Sequence, residues 1–145
     1  MKLFLWAIVF CVGQILFAEK YVIIVSAKTS NDQQWSHVVS TLKEKHSATV
    51  IHYEKSVKES LPALRKSFPR YACFVATPQE TTKEFVKIVH TLTRRLDQDP
   101  YTDLFWGILS GFDASNALEI AKTTEPLIIR NSLACTEIAL ERCKQ

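Results

Sequence analysis

Hydrophobic positions along the chain fall into two spacings. Residues 21–26 (Tyr-Val-Ile-Ile-Val-Ser) and 71–76 (Tyr-Ala-Cys-Phe-Val-Ala) are unbroken, largely apolar runs. Runs of that length without alternation predict strands covered on both faces of a parallel sheet. Residues 48–53 (Ala-Thr-Val-Ile-His-Tyr), 104–109 (Leu-Phe-Trp-Gly-Ile-Leu) and 127–129 (Leu-Ile-Ile) read as further strands. Between them the apolar spacing widens to that of helices. Trp35, Val38, Val39 and Leu42 follow a loop at 29–32 that supplies an N-cap. Ser56 with Glu59 forms a capping box ahead of Leu61, Leu64 and Phe68, and Pro69 ends that helix. Phe85, Val86, Val89, Leu92 and Leu96 stripe a long helix with Pro78 at its start. A short helix follows over 114–122, and a last one over 132–143.

Alternating strands and helices imply βαβ units. The fold class is therefore α/β: a three-layer sandwich, with a mainly parallel sheet and helices on both faces. At 145 residues, 47% hydrophobic and 23% charged, the chain holds one globular domain. Its net charge of +3 is spread out, with no basic run longer than a pair such as Arg94-Arg95. This argues against a nucleic-acid surface.

Residues 1–18 form a targeting segment. Lys2 gives the positive start, residues 3–17 are almost wholly apolar, and Ala18 is the small residue before Glu19-Lys20. The run is shorter than a membrane span requires. The expectation is a cleaved signal peptide and a protein secreted or held in the periplasm or cell envelope, with the membrane met only through that segment. Residues 19–145 form the single α/β domain. Cys11 would leave with the signal, and Cys73, Cys135 and Cys143 remain, an odd number. Cys73 sits mid-strand and reads as an inert buried thiol. Cys135 and Cys143 lie roughly 12 Å apart along one predicted helix, too far to bridge.

The stretch most unlike its surroundings is 97–121. It holds two of the three glycines and four aspartates. Asp97, Asp99 and Asp103 offer hard oxygen ligands of the kind calcium takes, although a turn with Asp113 as the next helix cap accounts for the same residues. Gly107 and Gly111 read as packing and turn positions. The first βα junction, 26–32, has no glycine, so a phosphate cradle and nucleotide binding are not expected. His37 and His46 fall on a helix surface, His52 in a strand and His90 on the long helix. None is placed beside a nucleophile by spacing.

Asp103-Leu-Phe-Trp106-Gly107-Ile-Leu-Ser-Gly111-Phe-Asp113 runs Asp, two residues, an aromatic, Gly, an apolar run and Gly-x-Asp. In this, and in the helix and strand leading to it (Leu61-Pro-Ala-Leu64, then Pro69-Arg-Tyr71-Ala-Cys-Phe-Val75), the chain resembles the gingipain-like cysteine peptidases, relatives of the caspase-type α/β fold. The likeness covers roughly residues 21–130. It implies a secreted endopeptidase with a Cys-His dyad on later strand ends, the His usually followed by Gly. No His-Gly occurs here, and Ala134-Cys135 falls in a predicted helix. Asp103, Trp106, Gly107, Gly111 and Asp113 carry over as motif positions, and no catalytic residue does. The expectation is the exported N-terminal portion of such a peptidase, not catalytic alone, whose partner is its missing C-terminal half or another protein surface. The alternative is a complete small secreted α/β binding module. A small metal-using hydrolase built on the acidic cluster is a third reading.

Overall fold

The computed structural model of the chain describes residues 20–125. The signal segment expected at 1–18, the strand expected at 127–129 and the helix expected at 132–143 with Cys135 and Cys143 lie outside the described residues. Four strands, β1 (Tyr21–Ser26), β2 (Thr49–Tyr53), β3 (Tyr71–Val75) and β4 (Phe105–Leu109), form one sheet. Their order is β2-β1-β3-β4 and every pair is parallel. Helices α1 (Ala27–Asn31), α2 (Gln33–His46), α3 (Leu61–Ser67), α4 (Lys83–Leu92) and α5 (Ala114–Lys122) connect them. A 3-10 turn (Val57–Ser60) leads into α3. The α/β class and the parallel sheet are as the runs of apolar residues implied.

Alternation along each strand divides the core in two. Val22, Ile24, Ala72 and Phe74 point to one face, where they meet Val57, Leu64, Phe85, Val89 and Leu92 from the 3-10 turn, α3 and α4. Ile23, Val25, Cys73 and Val75 point to the other, against Trp35, Val38 and Leu42 of α2 and Ala114, Ala117 and Ala121 of α5. Each fully buried large side chain, such as Phe74 or Ile24, contributes roughly 1.5–3 kcal/mol by leaving water. Strands β1 and β3 are buried along almost their whole length, whereas β2 and β4, the outer strands of the described sheet, each carry exposed positions.

Helix boundaries depart from the apolar stripe in informative ways. Residues 29–31, expected within a loop at 29–32, belong instead to the separate short helix α1, which Ser26 caps by accepting from the Thr29 N–H. Asp32 then ends α1 and caps α2, its Oδ1 accepting from the N–H groups of Gln34 and Trp35. Pro78 does not open α4. Residues 77–80 make their own turn, and the helix starts only where Thr82 Oγ1 accepts from the Phe85 N–H at 3.2 Å. Leu96 is buried yet lies beyond the end of α4, so the stripe outlasts the helix. No described helix is long and apolar enough to cross a membrane.

Candidate functional site

The strand order reverses at β1. The chain leaves β1 through α1 and α2 for β2 on one side, then crosses the opposite face through α3 to β3 on the other. In open parallel sheets such a reversal leaves a crevice outside the carboxyl ends of the two strands, because the connecting segments diverge there. The crevice here is bounded by Ser26 at the end of β1 and Lys28 after it, Tyr53 at the end of β2, and Thr77, Gln79 and Glu80 after β3.

Glu80 organises it. Its Oε1 accepts from Ser26 Oγ at 2.5 Å, and its Oε2 accepts from Thr29 Oγ1 at 2.7 Å and from the Thr77 N–H at 2.9 Å. The Glu80 N–H returns a bond to Thr77 Oγ1 at 3.2 Å. Ser26 and Thr29 are buried, so their hydroxyls find in this carboxylate the acceptor that burial demands. The carboxyl is half-buried, which by itself would raise its pKa. The Ser26 and Thr29 hydroxyls and the bonds from Thr77 outweigh that and hold it below the usual range. Glu80 is thus an ionised carboxylate fixed between β1 and β3, with three of its roughly four acceptor positions filled. Its charge, after burial, helps push the nearby Tyr53 phenol up to about 12.

Two recesses flank this carboxylate. One, of about 350 Å³, lies toward α4 and includes Tyr53, Lys55, Val57, Gln79 and Phe85. The other, of about 420 Å³, lies toward α2 and includes Thr29, Asp32, Trp35, Thr77 and Gln79. Lys28 and Glu80 border both. Farther along the same edge, Thr81 Oγ1 donates to the Thr77 carbonyl oxygen at 2.9 Å and lies 3.4 Å from Ser110 Oγ, which carries the row of hydroxyls to the end of β4.

The residues singled out in the sequence lie elsewhere and are not all together. Asp97, Asp99 and Asp103 gather before β4, with one oxygen of each within 4.8 Å of the others. Two of those carboxylates already serve the turn: Asp97 accepts from the Asp99 N–H at 2.9 Å, and Asp99 from the Tyr101 N–H at 2.8 Å. Burial first, then the Asp97 and Asp99 charges, raise the Asp103 carboxyl above its usual range. Among the described residues its Oδ2 has no hydrogen-bond partner. Gly111 and Asp113 sit at the opposite end of β4, a strand of five residues or roughly 16 Å. The motif is therefore split by the strand it contains.

Trp106 packs edge-on to Phe74 and to His90, both at 6.4 Å between ring centres. Asp113 caps α5, its carboxylate accepting from the Asn116 N–H at 2.8 Å, as expected of a cap. Gly111 is required by close approach: a Cβ there would stand 2.8 Å from the Ala117 nitrogen and 2.9 Å from the Asp113 oxygen. Gly107 is not a packing position. Among the described residues, a Cβ on it would meet nothing within 4 Å.

Cys73 is buried, as its strand position implied. Burial pushes its thiol up to about 11, although the Tyr21 hydroxyl and the Leu109 N–H both donate to the sulfur. Its side-chain partner is thus a tyrosine. His46, expected as a solvated surface residue, instead stacks flat on Tyr21 with ring centres 4.2 Å apart. Burial and then Lys45 lower its pKa.

Ser26, Thr29 and Glu80 were not legible as a site from spacing alone, since Ser26 and Glu80 stand 54 positions apart. A trace was present, in that hydroxyl residues follow both β1 and β3. Protein-family models, curated proteins and solved structures were compared with the chain, and none matches it.

Proposed function

We propose that this domain is a secreted α/β binding module whose ligand sits in the crevice between β1 and β3 and is recognised by the Glu80 carboxylate. The observation that carries this reading is that carboxylate, ionised although half-buried and fixed by three donors at the one place where the sheet order reverses. A charge held in place with one acceptor position open suits a small donor-rich ligand, such as an amine or a polyol. The flanking Gln79 and Lys28 would set its orientation. Binding rather than cleavage fits the chemistry of Cys73, a buried thiol with a raised pKa, poorly suited to be a nucleophile at neutral pH.

The test is an amide chemical-shift screen of the exported chain against small amines and polyols. Hits are expected to move Lys28, Thr77, Gln79 and Glu80 together, and to be lost in Glu80→Gln. Hits that map elsewhere, or that survive that substitution, would overturn the assignment.

A second reading, the N-terminal part of a gingipain-like peptidase, is favoured by the β4 edge. Phe105 is 65% exposed there, Gly107 is open, and β4 pairs only with β3 among the described strands. Such an edge is where a larger sheet would continue. Under this reading a C-terminal partner segment protects the β4 amides from hydrogen exchange. Unchanged exchange on adding it would remove the support.

A further inference from the structure

On the opposite face of the sheet from α2, a groove of about 350 Å³ runs between the 3-10 turn and α3 on one side and α4 on the other. Its α4 wall is a single stripe: Glu84, Lys87, Ile88, Thr91 and Leu92, continued by Arg95 in the turn beyond. These positions recur every three or four residues, so they share one helix face. Lys58 and Leu61 form the other wall.

The floor is apolar (Leu61, Ile88, Leu92) and the rim is cationic (Lys58, Lys87, Arg95), with Glu84 alone opposing it. Lys58, Lys87 and Arg95 are exposed. Among the described residues none of the three has a carboxylate within ion-pair distance. Elsewhere in the domain lysines have local work, as where Lys45 Nζ donates to the Ala121 and Thr123 carbonyl oxygens of α5. Among the described residues the groove cations make no such side-chain bond. Three unneutralised positive charges around an apolar strip repel one another, and an anion laid between them relieves that while covering the strip.

We propose that this groove docks an acidic amphipathic helix of a partner protein. The stripe extends over roughly 12 Å of α4 between Glu84 and Leu92. That length matches two or more turns of a partner helix laid alongside. The helix would set apolar side chains on the half-buried Leu61 and Ile88, over the buried Leu92, and carboxylates against Lys58, Lys87 and Arg95, the helix-in-groove mode. The groove adjoins the recess on the α4 side of the Glu80 crevice, with which it shares Glu84 and Ile88, whereas Lys58, Lys87 and Arg95 line the groove and not that recess.

The experiment uses the exported chain and a labelled synthetic peptide of about 12 residues, with leucines at helical spacing and glutamates on both flanks. Anisotropy measures binding, and amide shifts locate it. The expected result is saturable binding that moves Lys58, Lys87, Ile88 and Arg95 and weakens as salt is added. The double variant Lys87→Glu/Arg95→Glu, both positions being exposed, should weaken binding about tenfold or more. Ile88→Glu should weaken it separately through the floor, and a same-composition scrambled peptide should bind poorly. Equal binding by the scrambled peptide, indifference to the charge reversal, or shifts outside the groove would overturn the proposal. So would binding of anionic phosphatidylserine vesicles at this face without binding of the peptide, which would make it a lipid surface.

Discussion

Two regions of this domain sit at strand ends, and they differ in how they announce themselves. Residues 97–121 hold most of the conspicuous residues, glycines and aspartates crowded around β4. The β1–β3 crevice is built from Ser26, Thr29, Thr77 and Glu80, residues common in any loop. The structure gives the first region mostly local duties: Asp113 caps a helix, Gly111 admits one, and Asp97 and Asp99 close turns. The second region joins two central strands across 54 residues of sequence. Conspicuous residues mark local backbone demands, whereas convergence from distant segments marks what the topology holds in common.

The largest expected effect falls on the convergent region. Glu80→Ala removes the acceptor for two buried hydroxyls and one backbone N–H, and should cost about 2–3 kcal/mol in urea unfolding at neutral pH. Because the folded carboxyl is held below its usual range, its contribution is present above the unfolded value. It is lost as pH falls through the folded one. The gap between wild type and variant should therefore close in acid, and a gap independent of pH would break the comparison.

The two glycines of the Asp103–Asp113 motif sharpen it next. Gly111→Ala forces a Cβ against backbone and should destabilise by about 1–3 kcal/mol. Gly107→Ala meets open space in a strand, and should be neutral or stabilise by up to about 1 kcal/mol. Thermal melts of the two variants side by side read this directly. Similar losses at both positions would mean that the motif acts as one unit.

The smallest effect lies in the acidic cluster. Asp103 has a raised pKa, so the folded state holds that proton more tightly. The stability it supplies is complete below the unfolded value and is lost as pH rises through the folded one. Asp103→Asn should then stabilise the domain at neutral pH by on the order of a few tenths of a kcal/mol. The variant and wild type should coincide near pH 3, where the native side chain is itself neutral. Destabilisation at neutral pH would show that the ionised Asp103 is needed where it stands.

Much of the fold could be read from the chain because its core strands are buried on both faces. Residues 21–26 and 71–76 are apolar without alternation for that reason. The capping box at Ser56 and Glu59 and the cap at Asp113 were equally legible, since caps are satisfied within a few residues. The start of α4 was not. Pro78 suits a helix start in isolation, yet Glu80 is drawn across to Ser26 and Thr29 and holds residues 77–80 as a separate turn. The same long-range contact that displaced the helix start makes the crevice, so one missed interaction hid both. His46 was misjudged for a related reason: its partner Tyr21 lies 25 residues away and is brought to it by the sheet.

The measurement that tests the account most directly is a carbon-detected NMR titration of the Glu80 side-chain carboxyl in residues 19–145. A midpoint clearly below the value near 4.3 of an ordinary glutamate, with the Ser26, Thr29 and Thr77 resonances titrating in step, is the predicted result. A midpoint at or above that value, with those resonances unmoved, would contradict a carboxylate fixed between β1 and β3, and the crevice would lose the group that defines it.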